Sequence, residues 1–172
     1  MLQVFERLRP DSGLHIDDQL VLDHLQREKG RFKAYASSGE EVRVFLERGQ
    51  TLAIGEVLRS ECGKHLAVLG AVEEVTTARC EDWGLFSKAC YHLGNRHVKM
   101  QIGDRWLRIT PDHVLEDMLQ QLGLSTSREQ AVFVPEPGAY LQRGGHHHHH
   151  GDHSHDHGDS HSHSHSHDHH HH

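Results

Sequence analysis

The sequence predicts an α+β protein in which a small all-β module precedes a module of mixed helices and strands and a histidine-rich tail. Three observations predict this class. Residues 1–71 contain short apolar stretches of strand length separated by turn residues. Residues 72–143 alternate between strand-like and helix-like spacing of their apolar positions. Residues 144–172 contain no apolar residue, so this tail cannot bury a core and we expect it to be disordered.

The first module is predicted to consist of short strands. Residues 2–8 and 19–22 are apolar-rich stretches, and residues 31–36 and 41–46 flank a turn-like sequence that favours a hairpin. Residues 52–58 and 66–69 flank a second turn in the same way. The module's three histidines are isolated, and we expect all of them at the surface: His15, His24 and His65.

The second module is predicted to begin with a strand at residues 73–78 and then a helix. Four apolar residues recur at i, i+3, i+4 and i+7, which is the spacing of one helix face: Phe86, Ala89, Cys90 and Leu93. Either Glu81 or Asp82 can begin this helix. Gly94 is expected to be the glycine that ends it.

The remaining elements complete the order β-α-β-β-α-β. Thr110 and Pro111 are expected to cap and open a second helix, which Gly123 ends. The remaining strands are predicted at residues 98–102, 106–109 and 131–134. This order is that of the ferredoxin-like split βαβ arrangement.

Composition and charge exclude several classes of function. The chain has 172 residues and a formal net charge of −7, and residues 1–145 hold 21 acidic against 18 basic residues, the wrong sign for a nucleic-acid surface. No apolar run is long enough for a membrane span, and no signal peptide is indicated. Three scattered cysteines fit a reducing cytoplasm. Phosphate-loop, dinucleotide, zinc-protease and serine-hydrolase motifs are missing, so the sequence proposes no nucleotide hydrolysis, zinc proteolysis or serine-hydrolase chemistry. We expect a protein without a catalytic step, and an enzyme is the least favoured interpretation.

The strongest chemical signal is the tail, which holds 16 of the 22 histidines. In an extended chain, alternate side chains point to the same side, so His-x-His steps present neighbouring imidazoles to one ion. Neutral imidazole suits nickel, copper and zinc, and aspartate can add an oxygen ligand. At about four ligands per ion, the tail could hold roughly four ions. The predicted ligands are His146, His147, His148, His149, His150, His153, His155, His157, His161, His163, His165, His167, His169, His170, His171 and His172.

An affinity tag and a solubilising tail are the alternative interpretations. A tag is usually a plain histidine run, and residues 169–172 could belong to one, but the Asp/Ser/His stretch before them is not typical of a tag. With a pKa near 6.5, sixteen imidazoles carry roughly four positive charges at pH 7. Four aspartates balance these charges, so the tail has almost no net charge and a solubilising role is not favoured. The sequence therefore favours a natural metal-binding tail.

His97 and His113 are the candidate metal ligands outside the tail. His97 lies at the predicted junction of a helix and a strand, where a rigid scaffold holds an exposed side chain. His113 lies in the first turn of the second helix, and His92, inside the first helix, is expected at the surface or lining a site. A single exposed histidine is more often an ordinary surface residue than a ligand. These positions alone therefore leave both interpretations open.

Several segments of the chain resemble the UreE family, the nickel metallochaperones of urease maturation. Residues 89–97, followed by 100–102, resemble the family signature. Residues 112–124 resemble the family's second helix, and residues 133–140 its closing segment. The match is thinner in the first module, and many family members also end in a histidine-rich tail.

The resemblance implies a homodimer formed by the second module, with the two copies of His97 meeting across the dimer axis. Symmetry would then double the number of ligands. His113 matches a further metal-contacting histidine of some members. Those members can carry another histidine two positions earlier, where this chain has Pro111.

The resemblance further implies a carrier that donates Ni²⁺ to apo-urease, with the accessory GTPase of the maturation complex as its partner. The first module would bind peptides or partner proteins. Zn²⁺ and Cu²⁺ are also suited to the same imidazole sites. The alternative function is a nickel or zinc buffering or storage protein without a dedicated client.

Overall fold

The computed structural model describes residues 1–8, 10 and 13–138. The described residues all lie in one structural unit. The predicted tail at residues 144–172 lies outside the described residues. Within the described residues the longest helix has 13 residues, and no helix is both long and apolar enough to cross a membrane.

Six strands form the first sheet: β1 Leu2–Leu8, β2 Asp18–Leu22, β3 Arg31–Tyr35, β4 Glu41–Phe45, β5 Val57–Ser60 and β6 His65–Gly70. Their order across the sheet is β2-β6-β5-β1-β4-β3. β1 runs parallel to β4 and β2 parallel to β6, whereas the other neighbours are antiparallel. The predicted β3–β4 hairpin is confirmed, and β5 and β6 pair across the second predicted turn.

One short helix corrects the prediction of an all-β first module. Helix α1, His24–Glu28, follows Asp23, whose side chain accepts the N–H of Gln26 while the Gln26 side chain accepts the N–H of Asp23. This reciprocal capping box is a helix-start signal that the sequence carried. The predicted strand at 52–58 is also wrong in its first part, because Leu52 is buried in a loop and donates its N–H to the Arg27 carbonyl at 2.8 Å.

Four strands form the second sheet: β7 Val72–Arg79, β8 Gln101–Ile102, β9 Trp106–Ile109 and β10 Ser125–Val132. Their order is β10-β7-β9-β8, and all neighbours are antiparallel. Helix α2, Trp83–Asn95, and helix α3, His113–Gln121, complete the predicted order β-α-β-β-α-β. Their buried residues form one hydrophobic cluster with the sheet, including Phe86, Leu93, Leu107, Ile109 and Leu119.

Three predicted boundaries after α2 are wrong. The strand predicted at 98–102 pairs only at Gln101–Ile102, and the strand predicted at 131–134 begins earlier, as Ser125–Val132. The cap of α3 is Asp112, not Thr110, because the Asp112 carboxylate accepts the N–H groups of Val114 and Leu115.

His24, predicted at the surface, is buried and links α1 to the second sheet. Its exposed fraction is 7%. Its Nδ1 lies 2.7 Å from a Glu73 carboxylate oxygen, and its ring packs edge-on against Phe133 with centroids 4.9 Å apart. Nearby, the buried Arg27 donates to the Phe133 carbonyl. Burial is tolerated because residues distant in sequence satisfy these polar groups.

Candidate metal centre

The end of helix α2 positions His97. Asp82 caps the start of the helix, because its carboxylate accepts the N–H of Leu85 at 3.0 Å. Of the two predicted starts, Glu81 and Asp82, the second is confirmed. Phe86, Ala89 and Leu93 bury the inner face of the helix. A packed inner face and a capped start make α2 a fixed support for the residues that follow it.

His97 occupies the left-handed turn position that follows the helix. Its N–H donates to the Gly94 carbonyl at 3.0 Å, and the N–H of Val98 donates to the Leu93 carbonyl at 3.1 Å. These two bonds form a Schellman motif, in which the residue at C′ takes a positive φ. The φ of His97 is 57°.

Gly94 was the predicted terminating glycine, and this prediction is wrong. The helix continues through Asn95 and ends at Arg96, which leaves Gly94 inside α2. The turn forms at His97 instead because Val98 then packs against the hydrophobic cluster that contains Leu93. This apolar contact commonly accompanies the motif.

An open cavity of about 270 Å³ lies beside the exposed His97. Its lining also includes Lys99, Met100, Ile102 and Glu136. Since a water molecule occupies about 30 Å³ of liquid volume, the cavity has room for an ion together with several waters. The prediction of an exposed histidine on a rigid scaffold is confirmed at this position.

Two charged residues line the cavity, Lys99 and Glu136, and of these Lys99 forms an ion pair with a residue outside the lining. Lys99 Nζ bonds a Glu28 carboxylate oxygen at 2.6 Å, so its charge is balanced from outside the cavity lining.

Burial raises the pKa of the half-buried Cys90 thiol in α2 above its ordinary value. A thiol must lose its proton to bind a metal, so Cys90 is poorly suited as a ligand.

His113 does not line the His97 cavity. It is the first residue of α3 and is exposed. A second cavity, of about 260 Å³, is lined by Pro111 and Asp112 and shares Val98 and Lys99 with the first, but His113 does not line it either. Neither of these two cavities therefore brings His113 together with His97.

The other predicted ligands lie outside the described residues, at 146–172. Within the part of the chain that the structure describes, no group of three or more His, Cys, Asp and Glu side chains is arranged to hold a metal ion. Glu136 is the acidic residue of the His97 cavity that the sequence analysis missed. It lies 39 residues from His97, and its sequence context gave no signal that the fold brings the two residues to one cavity.

Family comparison assigns the chain a class. The N-terminal domain of "UreE urease accessory protein" matches residues 5–71, and the C-terminal domain of the same family matches residues 73–172. The molecule is thus an accessory protein and not an enzyme, as the sequence analysis expected.

Individual relatives give the same result over most of the chain. The urease accessory protein UreE of Marinomonas sp. is 60% identical over 151 residues, which are 86% of this chain and 100% of that protein. The same protein of Alteromonas mediterranea is 51% identical over 147 residues, 86% of this chain and 95% of the relative. That of Psychromonas ingrahamii is 48% identical with similar coverage. The chain belongs to the UreE family of urease accessory proteins, and its role is in urease maturation.

Proposed function

We propose that this protein binds Ni²⁺ and donates it to apo-urease while the urease active site is assembled. The observation that carries the proposal is His97, an exposed imidazole held at a fixed helix end beside an open cavity. Imidazole nitrogen suits nickel, and a carrier must release its ion, which open coordination positions permit. The family's role in urease maturation supplies the client.

One imidazole per chain is too few to hold an ion, so the proposal includes a homodimer. In a closed two-fold dimer the same patch of both copies meets, and a residue near the axis meets its own counterpart. Ile102 supports this arrangement, since it lines the cavity of His97 and leaves 39% of its surface exposed. Two copies of His97 would form the interfacial site.

The tail and the first sheet complete the proposal. Histidines 146–172 recruit further ions, and imidazole exchange passes them on. Residues 1–71 form a partner-binding domain, residues 72–143 a ferredoxin-like domain for metal binding and dimerisation, and residues 144–172 the tail. The accessory GTPase is the partner, and the cytoplasm is the compartment, in keeping with three free thiols at Cys62, Cys80 and Cys90.

The second candidate function is nickel or zinc buffering without a client. Sixteen histidines in a 27-residue segment favour it, because capacity serves a buffer more than a carrier. Cu²⁺ binds imidazole sites more tightly than nickel or zinc. Metal choice would then depend on what the cell supplies rather than on this chain.

Reconstituted urease maturation at limiting nickel distinguishes the two functions. The full chain should raise the yield of active urease above that of a reaction without it, and His97→Ala should remove most of the gain. His92→Ala is the matched control. His92 is exposed, like His97, but it lies within α2 and does not line the His97 cavity. No gain from the full chain would leave buffering as the function.

A further inference from the structure

His97 and Glu136 line the same cavity, and the two residues come from different elements. His97 follows α2, whereas Glu136 lies in the segment after β10. Glu136 is exposed. The surroundings of this segment therefore determine whether the carboxylate can serve a site.

The segment that carries Glu136 is fixed at three successive points. The Phe133 carbonyl accepts from the buried Arg27, and the N–H of Val134 donates to Gln101 Oε1 at 3.1 Å. The N–H of Glu136 itself donates to the Met100 carbonyl at 2.8 Å, and Met100 also lines the cavity. Two of these bonds hold the segment against Met100 and Gln101, which follow the turn that presents His97.

The Glu136 carboxylate is also free of a competing cation. Lys99 is the cation in the cavity lining, and its ammonium is bonded to Glu28. Among the described residues, Glu136 forms no ion pair. The cavity thus presents one imidazole and one uncompensated carboxylate, which attract a cation together.

We propose that Glu136 is an oxygen ligand of the ion held by His97. This inference rests on the proposed nickel site. Two protomers would supply two imidazole nitrogens and two carboxylate oxygens, and a mixed N,O set is suited to Ni²⁺ and other divalent ions rather than to soft Cu⁺. Two carboxylates would also neutralise the charge of the ion.

Nickel titration of substituted proteins tests the ligand assignment. Each variant is made in the full chain and in residues 1–143, which retain both hydrophobic clusters. In residues 1–143, Glu136→Gln should weaken nickel binding about tenfold, because the neutral amide oxygen can still ligate the ion but does so more weakly than a carboxylate. Glu136→His should restore the affinity, since a neutral nitrogen ligand can replace a ligating oxygen but cannot replace a distant negative charge. In the full chain, Glu136→Gln should leave the number of bound ions nearly unchanged, because the tail histidines remain.

Glu81→Gln is the matched control. It removes the same charge from an exposed side chain at the far end of α2, a helix of 13 residues, and so about 20 Å from His97. We expect unchanged nickel affinity. Equal effects of Glu81→Gln and Glu136→Gln would overturn the proposal.

The remaining outcomes separate this inference from the proposed function. If His97→Ala abolishes binding while Glu136→Gln has no effect, His97 is a ligand and Glu136 is not. If Glu136→Gln weakens binding and Glu136→His fails to restore it, Glu136 acts by charge alone and the ligand assignment is wrong. If neither His97→Ala nor Glu136→Gln changes binding, the nickel site itself is wrong.

Discussion

Helices α2 and α3 end in the same hydrogen-bonded turn, with a histidine in one and a glycine in the other. At the end of α3, the N–H of Gly123 donates to the Gln120 carbonyl and the N–H of Leu124 to the Leu119 carbonyl, both at 3.0 Å. The end of α2 repeats this pattern with His97 in the glycine's place. Both residues have a positive φ, 97° for Gly123 and 57° for His97.

The difference lies in what a side chain at each position does. Glycine has no Cβ and adopts a positive φ freely, whereas an L-residue there costs about 1–2 kcal/mol. A Cβ on Gly123 would lie 3.2 Å from Leu85 Cδ1, while the His97 side chain lies beside an open cavity. Folding therefore explains Gly123 but not His97. The positive φ of His97 is therefore in keeping with the metal-binding role proposed for it, although Arg105 has the same φ of 57° without such a role.

The largest expected effect is on nickel binding. In residues 1–143, His97→Ala should weaken nickel binding by at least about 100-fold, because a direct ligand is lost and ligand-supporting groups alone account for 10–100-fold. Gly123→Ala should leave the affinity unchanged, since Gly123 does not line the cavity. Calorimetric titration of both variants measures this. Equal losses would mean that disturbing either helix end is enough, and that His97 is not a ligand.

The second largest expected effect is on stability. Here Gly123→Ala should have the large effect and His97→Ala the small one. Gly123→Ala should lower the free energy of unfolding by about 1–2 kcal/mol, because alanine must adopt a positive φ. His97→Ala should change it by less than about 0.5 kcal/mol, since both residues bear the same strain. Urea unfolding at neutral pH measures both. A larger loss for His97→Ala than for Gly123→Ala would contradict the comparison.

The smallest expected effect is the loss of stability when a polar contact between α3 and the second sheet is removed. Glu116 of α3 accepts hydrogen bonds from Arg128 and Thr76, and these hold the pKa of its carboxyl below the ordinary value. Glu116→Gln should lower the free energy of unfolding at pH 7 by about 1 kcal/mol or less, because the Arg128 side chain is half exposed and screened by solvent.

The pH dependence gives the sign of this effect. The lowered pKa stabilises the fold above the unfolded carboxyl's pKa of about 4.3, and this contribution disappears as the pH falls through the folded value. The stability difference between the original chain and Glu116→Gln should therefore shrink towards strong acid. Asp117→Asn, at an exposed position of the same helix, is the control. A difference that stays constant from pH 7 to pH 3 would rule out the Glu116 contribution.

Local signals in the sequence predicted the elements that local interactions determine. The bounds of β1 agree with the prediction, because its apolar residues mark a strand between turn residues. Asp82 was one of two predicted starts for α2 because a carboxylate can accept the first free N–H groups. The capping box at Asp23 and Gln26 is an equally local signal, although the sequence-based prediction did not include helix α1.

Errors arose where distant residues decide the structure. Leu52 is apolar because a loop is buried, not because it belongs to a strand. His24 is buried because Glu73, 49 residues away, bonds it. A helix end was predicted at Gly94 because glycine commonly ends helices. The turn lies at His97 instead, where Val98 packs against the hydrophobic cluster. The pairing of His97 with Glu136 in one cavity likewise depends on the whole fold.

The most direct test of the comparison is His97→Gly, measured for nickel binding and for stability in the same protein. Glycine removes the imidazole and relieves the strain at once. We expect that residues 1–143 lose the nickel site while the free energy of unfolding stays equal or rises by up to about 1 kcal/mol. A protein that is less stable, or one that binds nickel as before, would contradict the conclusion that His97 stands at this helix end to hold a metal ion.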